Sequence, residues 1–161
     1  MENLNFKDRK IIAVIGGRDC GEEIYNQAED VGRLIARRNG ILICGGRTGV
    51  MEAACKGAYK TGGMTIGILP GSSKQKANQW VKLALPTGLG PARNSVIINS
   101  CDSAIAIDGN YGTLSEIAYC FQFNKSVCVL NSWEIEGTTP VASPKEAIEF
   151  AFSHESGPSQ H

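Results

Sequence analysis

Histidine is almost missing from this chain. Only His154 and His161 occur among its 161 residues, both in or beside the polar tail ESGPSQH. A Ser-His-Asp or Cys-His nucleophile and a histidine-rich metal centre therefore have no material to draw on. An excess of charge is missing too, since sixteen basic residues balance sixteen acidic ones. The short Lys7-Asp8-Arg9-Lys10 cluster and the pair Arg37-Arg38 are the densest basic features, and neither gives the broad footprint that nucleic acid requires. No apolar run approaches the length that spans a bilayer, and the opening MENLNFKDRK has no apolar stretch of the signal-peptide kind. The expectation is a soluble, cytoplasmic protein with neither membrane nor nucleic acid as partner. Paired CxxC spacing is also absent: Cys20, Cys44, Cys55, Cys101, Cys120 and Cys128 are scattered, mostly in apolar runs. They read as reduced core thiols, and no metal site is expected.

What remains is an alternation. Short β-rich runs, 11-IIAVIG, 41-ILIC, 64-MTIGIL, 81-VKLAL, 103-SAIAI and 126-SVCVL, are bounded by Gly, Pro, Asp or Asn, and their near-continuous apolar character is that of strands covered on both faces. Helical periodicity lies between them. Ile24, Ala28, Val31 and Ile35 recur on one face of 22–39, with Gly40 as a stop. Further helices are expected over about 50–60, 91–100 and 114–123. A last one starts at Ser143, where Ser143, Pro144 and Glu146 have the order of a capping box and Ala147, Ile148, Ala151 and Phe152 form the buried stripe. The prediction is an α/β fold: a single Rossmann-like, doubly wound parallel sheet with helices on both faces. The whole of 1–161 reads as one domain, of which 1–9 and 154–161 are expected to be flexible tails.

Three turns that follow strands are rich in glycine: 15-IGGRDCG-21, 44-CGGRTGVM-51 and 108-DGNYGTLSE-116. In a parallel sheet they share one edge, where ligands of open α/β folds bind. Glycine lets backbone N–H groups approach a ligand, and the helix N-terminus behind each turn favours an anion. No P-loop is present, because 67-GILPGSSK lacks the Gly-Lys-Ser/Thr ending. The usual dinucleotide mode is disfavoured as well: the first turn reads GGRDCG, and the second strand ends in Cys44-Gly45-Gly46 with no acid for a ribose.

The segments 44-CGGRTGVMEAACKGA-58, 86-PTGLGPARN-94 and 109-GNYGTLSE-116, in this order, resemble the family historically called lysine decarboxylase-like. It includes the Lonely Guy cytokinin-activating phosphoribohydrolases and the molybdenum cofactor carrier proteins. The resemblance runs from about Ile11 to Phe152 and looks closer to the carrier-like branch. It implies a Rossmann-like fold, a phosphate site in the glycine turns and a homo-oligomer, dimer or tetramer. It also implies a small phosphate-bearing ligand, either the molybdenum cofactor or a nucleotide, with no cofactor otherwise required. For the hydrolase branch it implies cleavage of a nucleoside 5′-monophosphate into free base and ribose 5-phosphate. Lysine decarboxylation has no chemical basis here, because no lysine in the glycine turns is available to hold a pyridoxal group.

The hydrolase pattern PGGxGTxxE falls on residues 108–116. Gly109, Gly112, Thr113 and Glu116 match it, Asp108 stands where Pro or Gly is expected, and Asn110 replaces a glycine. Asn tolerates a left-handed backbone, which would preserve the turn. Asp108 beside a phosphate cradle opposes an anion unless it points away or recruits a cation or sugar hydroxyl. In an enzyme Glu116 would orient ribose hydroxyls or stabilise oxocarbenium-like charge, although Thr113 and Glu116 also have capping-box spacing. The second hydrolase motif, MHxRK, keeps only Arg93. If the chain is an enzyme, Glu116 and Arg93 are the catalytic pair. As a binding protein its ligand set is Gly16, Gly17, Arg18, Gly45, Gly46, Arg47, Gly49, Thr87, Gly88, Arg93, Asp108, Gly109, Asn110, Tyr111, Gly112, Thr113 and Glu116. Trp80 and Trp133 signal only packing or interface surface. The broken motifs favour binding over hydrolysis.

Overall fold

The computed structural model describes residues 5–153. Seven strands, β1 (Ile11–Gly16), β2 (Ile41–Cys44), β3 (Met64–Leu69), β4 (Leu83–Pro86), β5 (Ser103–Ile107), β6 (Ser126–Leu130) and β7 (Thr139–Pro140), form one sheet in the order β4-β3-β2-β1-β5-β6-β7. Every pairing is parallel. The two-residue β7 was not legible, since an exposed Thr-Pro pair carries no apolar run.

Five helices cover the sheet: α1 (Glu22–Arg37), α2 (Val50–Lys60), α3 (Arg93–Ser100), α4 (Tyr111–Gln122) and α5 (Pro144–Ser153). Alternate residues of one strand face opposite layers. Ile12 and Val14 of β1 pack with Ala28, Val31, Ala54 and Ile148 from α1, α2 and α5, whereas Ala13 and Ile15 pack with Ile97, Ile98, Ile117 and Cys120 from α3 and α4. The doubly wound architecture read from the sequence is the observed one. The α1–α2 contact is unusually intimate: a Cβ on Gly32 would overlap the Ala54 carbonyl, and one on Gly57 would overlap that of Glu29.

Helix ends refine the sequence reading. Asn39, at φ 56°, takes the left-handed position after α1, and the N–H of Gly40 bonds the Ile35 carbonyl at 2.9 Å. Gly40 is required for a different reason, because Phe152 lies where its Cβ would be. At α5, the Ser143 hydroxyl accepts from the Glu146 N–H at 3.2 Å, while the Glu146 carboxylate accepts from Ala142 N–H at 2.8 Å, one residue before the position expected of a strict box. Residues 5–9 are tied down by Arg9, whose guanidinium donates to the Asn39 and Gly40 carbonyls. The rest of the expected tails, with both histidines, lies outside the described residues.

Candidate functional site

The chain winds away from β1 and β5 in opposite directions, so their carboxyl ends open a crevice at the switch point of the sheet. A cleft of about 630 Å³ occupies it. Its walls are Gly16, Gly17, Arg18 and Asp19 after β1, Arg47 after β2, Arg93 and Asn94 opening α3, and Asp108, Gly109, Asn110, Gly112, Thr113 and Glu116 from the β5–α4 turn; Met51, Pro70 and Pro91 complete it. A smaller depression of about 380 Å³ lies between α1 and α2. Its acids are already engaged with Lys56 and Arg33.

The β5–α4 turn forms one end of the cleft. Asp108 and Gly109 have φ 50° and 102°, which folds the chain back so that α4 starts at Tyr111, three residues before the predicted start. Gly109 is obligatory, since a Cβ there would overlap the Thr113 hydroxyl. Asn110 is the N-cap, in an extended rather than a left-handed conformation, and makes no side-chain cap hydrogen bond. The positive φ that a glycine would permit is carried by Asp108 instead. The first intrahelical bond runs from Leu114 N–H to the Asn110 carbonyl at 3.0 Å. The N–H groups of Tyr111, Gly112 and Thr113 precede it and have no intrahelical acceptor. No acid sits in the first turn of α4, in contrast to Glu22 and Glu23 of α1, so within the helix nothing offsets its partial positive charge, and the nearest acid before it along the chain is Asp108.

Because α4 begins at Tyr111, Thr113 lies inside the helix and the Thr113–Glu116 capping box does not form. Glu116 is turned into the cleft and is only 6% exposed. Burial is the main force on its carboxyl, which is pushed up to about 8, with the Arg93 charge pulling the other way. Glu116 is therefore predominantly neutral at pH 7. Arg93 is held by the Asn94 side-chain oxygen and, at 3.4 Å, by the Gly45 carbonyl. Its Nε is buried without a partner, and burial moves its pKa down from the usual value. A half-buried arginine with one unused donor beside a buried carboxyl is a site with hydrogen-bonding capacity to spare.

The remaining residues of the predicted set stand behind the lining rather than in it. Gly45 allows Arg93 to lie across the backbone, where a Cβ would be 2.6 Å from Nη2. Gly46 and Gly49 have φ 73° and 66°. Gly49 lets the second turn seat against the first, through Val50 N–H to Gly17 O at 3.0 Å and Thr48 Oγ–H to Arg18 O at 2.9 Å. Thr87 and Gly88 do not line the cleft: the Thr87 hydroxyl donates to Leu69 O at 2.8 Å and Gly88 N–H to Gly71 O at 2.9 Å, which fastens β4 to β3. Sequence reasoning passed over Asp19 and Asn94, though both lie in segments it had singled out. Asn94 Nδ2 donates to the Ser115 hydroxyl at 3.3 Å and links α3 to α4. Asp108 and Asp19 gather beside Cys20, whose thiol is raised by burial and then by these two acids. The cleft is thus acidic near the start of α1 and cationic where Arg18, Arg47 and Arg93 converge.

The cysteines are free and, apart from the half-buried Cys20, buried. Cys44 and Cys55 have sulfurs 3.5 Å apart; this hydrogen bond favours the Cys44 thiolate and raises Cys55. Among the described residues no cluster of His, Cys, Asp and Glu has the arrangement of a metal site, and no helix is long and apolar enough to cross a membrane.

Fold and cleft together define a Rossmann-like protein with a cleft walled by glycine turns at its switch point. More specifically, residues 9–157 match the SLOG cluster4 family, and the chain belongs to it. An uncharacterised protein of Archaeoglobus fulgidus is 42% identical over 143 residues, which is 88% of this chain and 94% of that one. A probable cytokinin riboside 5′-monophosphate phosphoribohydrolase of Oryza sativa is 26% identical over 113 residues; the match covers 68% of this chain and 50% of that enzyme. Among solved structures, the molybdenum cofactor binding protein of Rippkaea orientalis superposes with TM-score 0.86 at 35% identity, covering 91% of this chain and 98% of that one. The molybdenum cofactor carrier protein of Chlamydomonas reinhardtii gives 0.80 at 29%, covering 91% and 99%.

Proposed function

We propose that the cleft binds a small phosphate-bearing molecule, pterin-like or nucleotide-like, and that the chain serves as a carrier for it. One observation carries this reading: an uncapped helix N-terminus, free of acids in its first turn, faces a cleft into which Arg18, Arg47 and Arg93 converge. The phosphate seats on the N–H groups of Tyr111, Gly112 and Thr113, and Arg93 uses its unpartnered Nε. The likeness to the Rippkaea orientalis and Chlamydomonas reinhardtii proteins favours the molybdenum cofactor, whose pterin carries a phosphate, over a nucleotide. The acidic side, Asp19 and Asp108, suits the polar edge or hydroxyl groups of such a ligand better than a second phosphate.

Calorimetric titration with inorganic phosphate, AMP and a phosphorylated pterin tests it. Saturable binding that Arg93→Ala weakens about thirtyfold, the equivalent of ~2 kcal/mol, is the expected result; no phosphate-dependent binding by any of the three ends the proposal. The second reading, a nucleoside monophosphate phosphoribohydrolase, is favoured by Glu116 and Arg93 sharing the cleft. Against it stand the neutral state of Glu116, when oxocarbenium charge needs a carboxylate, and the loss of three motif positions around Arg93. Release of adenine from AMP by the wild type but not by Glu116→Ala would decide for the enzyme.

The same proposal includes self-association. Leu83 and Leu85 stand on edge strand β4, with Leu89 just beyond it, all more than two-fifths exposed. An open strand edge carrying a row of leucines is suited to a second copy of the chain.

A further inference from the structure

We propose that Tyr111 and Trp133 form a stacking surface at the lip of the cleft, so that the site selects phosphates carrying a flat heteroaromatic ring over inorganic phosphate or a bare sugar phosphate. This rests on the phosphate-binding reading and adds the residues that hold the ligand's ring and make the site discriminate on it.

Tyr111 is the first residue of α4, and its chain neighbours Asn110 and Gly112 both line the cleft. At 80% exposed it is the most exposed large hydrophobic side chain among the described residues. Trp133, after β6, is the partner that sequence reasoning left without a role. Its ring lies 6.2 Å from that of Tyr111, tilted by 31°, and its indole N–H donates to the Asn110 carbonyl at 3.2 Å. The other side of Trp133 packs against the α3–α4 core. One residue earlier, the Ser132 hydroxyl donates to the Asp108 carbonyl at 2.6 Å. The segment after β6 is therefore pinned at two points to the turn that seats the phosphate. The aromatic pair is held in a fixed relation to that seat, although no element of the fold covers Tyr111.

A ring joined to a phosphate on the α4 N-terminus can lie on this pair as it leaves the cleft, whose interior apolar contacts are Met51, Pro70 and Pro91. Aromatic stacking tolerates many rings because each presents a π face. The shared chemistry is a heteroaromatic ring linked to phosphate; nucleobase and pterin are its two sources.

The test uses the full chain carrying Trp80→Phe, which leaves Trp133 as the sole tryptophan; Trp80 packs with Tyr59 and Lys60 and does not line the cleft. The protein is titrated with inorganic phosphate, ribose 5-phosphate, AMP and a phosphorylated pterin. AMP or the pterin should quench Trp133 and bind about tenfold more tightly than ribose 5-phosphate. Tyr111→Ala should bring that ratio to about one, and Tyr111→Phe should restore it. The ring phosphate with the larger quench and the larger ratio names the source. Equal affinity of ring and sugar phosphates in the wild type overturns this proposal while leaving the phosphate site in place. Absence of binding by all four probes overturns the phosphate reading and this one with it. A Tyr111→Ala variant with altered native mass and an unchanged ratio assigns the pair to a subunit contact, and overturns it also.

Discussion

A buried carboxylic acid beside a half-buried arginine is the residue-scale feature with the clearest physical consequence. Glu116 has an ordinary value of 4.5 and is held at about 8 by burial, so the folded chain retains a proton that the unfolded chain has lost over that interval. The stability term is fully present below about 4.5 and is lost as pH rises through 8. Its size is on the order of 5 kcal/mol. Glu116→Gln should flatten the decline in stability between pH 5 and 8 as followed by thermal unfolding. It should also flatten anion binding. Sulfate, whose charge is constant across this range, is expected to bind the wild type less well above pH 8, where Glu116 ionises beside Arg93, and the Gln variant equally well on both sides.

At the scale of elements, the turns and the helix pair make separable demands on glycine. Gly109 joins a φ of 102°, which L side chains rarely adopt, to the close approach of Thr113. Gly109→Ala should cost about 2 kcal/mol or more and displace the start of α4, so calorimetry should show phosphate affinity falling together with melting temperature. Gly57 has no such conformational need; it is required by the backbone of α1. Gly57→Val must drive the two helices apart, at about 3 kcal/mol or some 10 °C in melting temperature. Binding measured below the new transition should be preserved, because Gly57 lies in the separate α1–α2 depression and does not line the cleft. Most elements were legible in sequence, since strands buried on both faces cannot avoid long apolar runs; β7 was not, and β4, expected to be covered on both faces, is instead an exposed edge strand. The start of α4 was not. Asp108 taking a left-handed conformation allowed the helix to begin at Tyr111, and nothing in residue type alone forces an aspartate there.

At the scale of the whole molecule, the open edge of the sheet is the feature that a lone copy leaves unsatisfied. Leu85→Lys puts a charge on an exposed position of β4 and should shift native mass toward the monomer, with little effect on unfolding of the subunit. Unchanged mass would remove this edge as the subunit contact.

Period and composition determined the layer architecture, the parallel sheet and the place of the glycine turns, because each depends on local preference and on how apolar residues must be spaced to be covered. They also determined that any chemistry must rest on arginines, carboxyls and backbone amides. Tertiary structure alone decided what those groups became. It set Arg93 across Gly45 with one donor unpaired, placed Glu116 inside α4 facing the cleft with its pKa raised by burial, and left Thr87 and Gly88 outside the cleft lining. It also brought Trp133 from beyond the next strand to lie beside Tyr111. Burial and partners at long sequence separation fix these properties, and neither is carried by a residue and its neighbours along the chain.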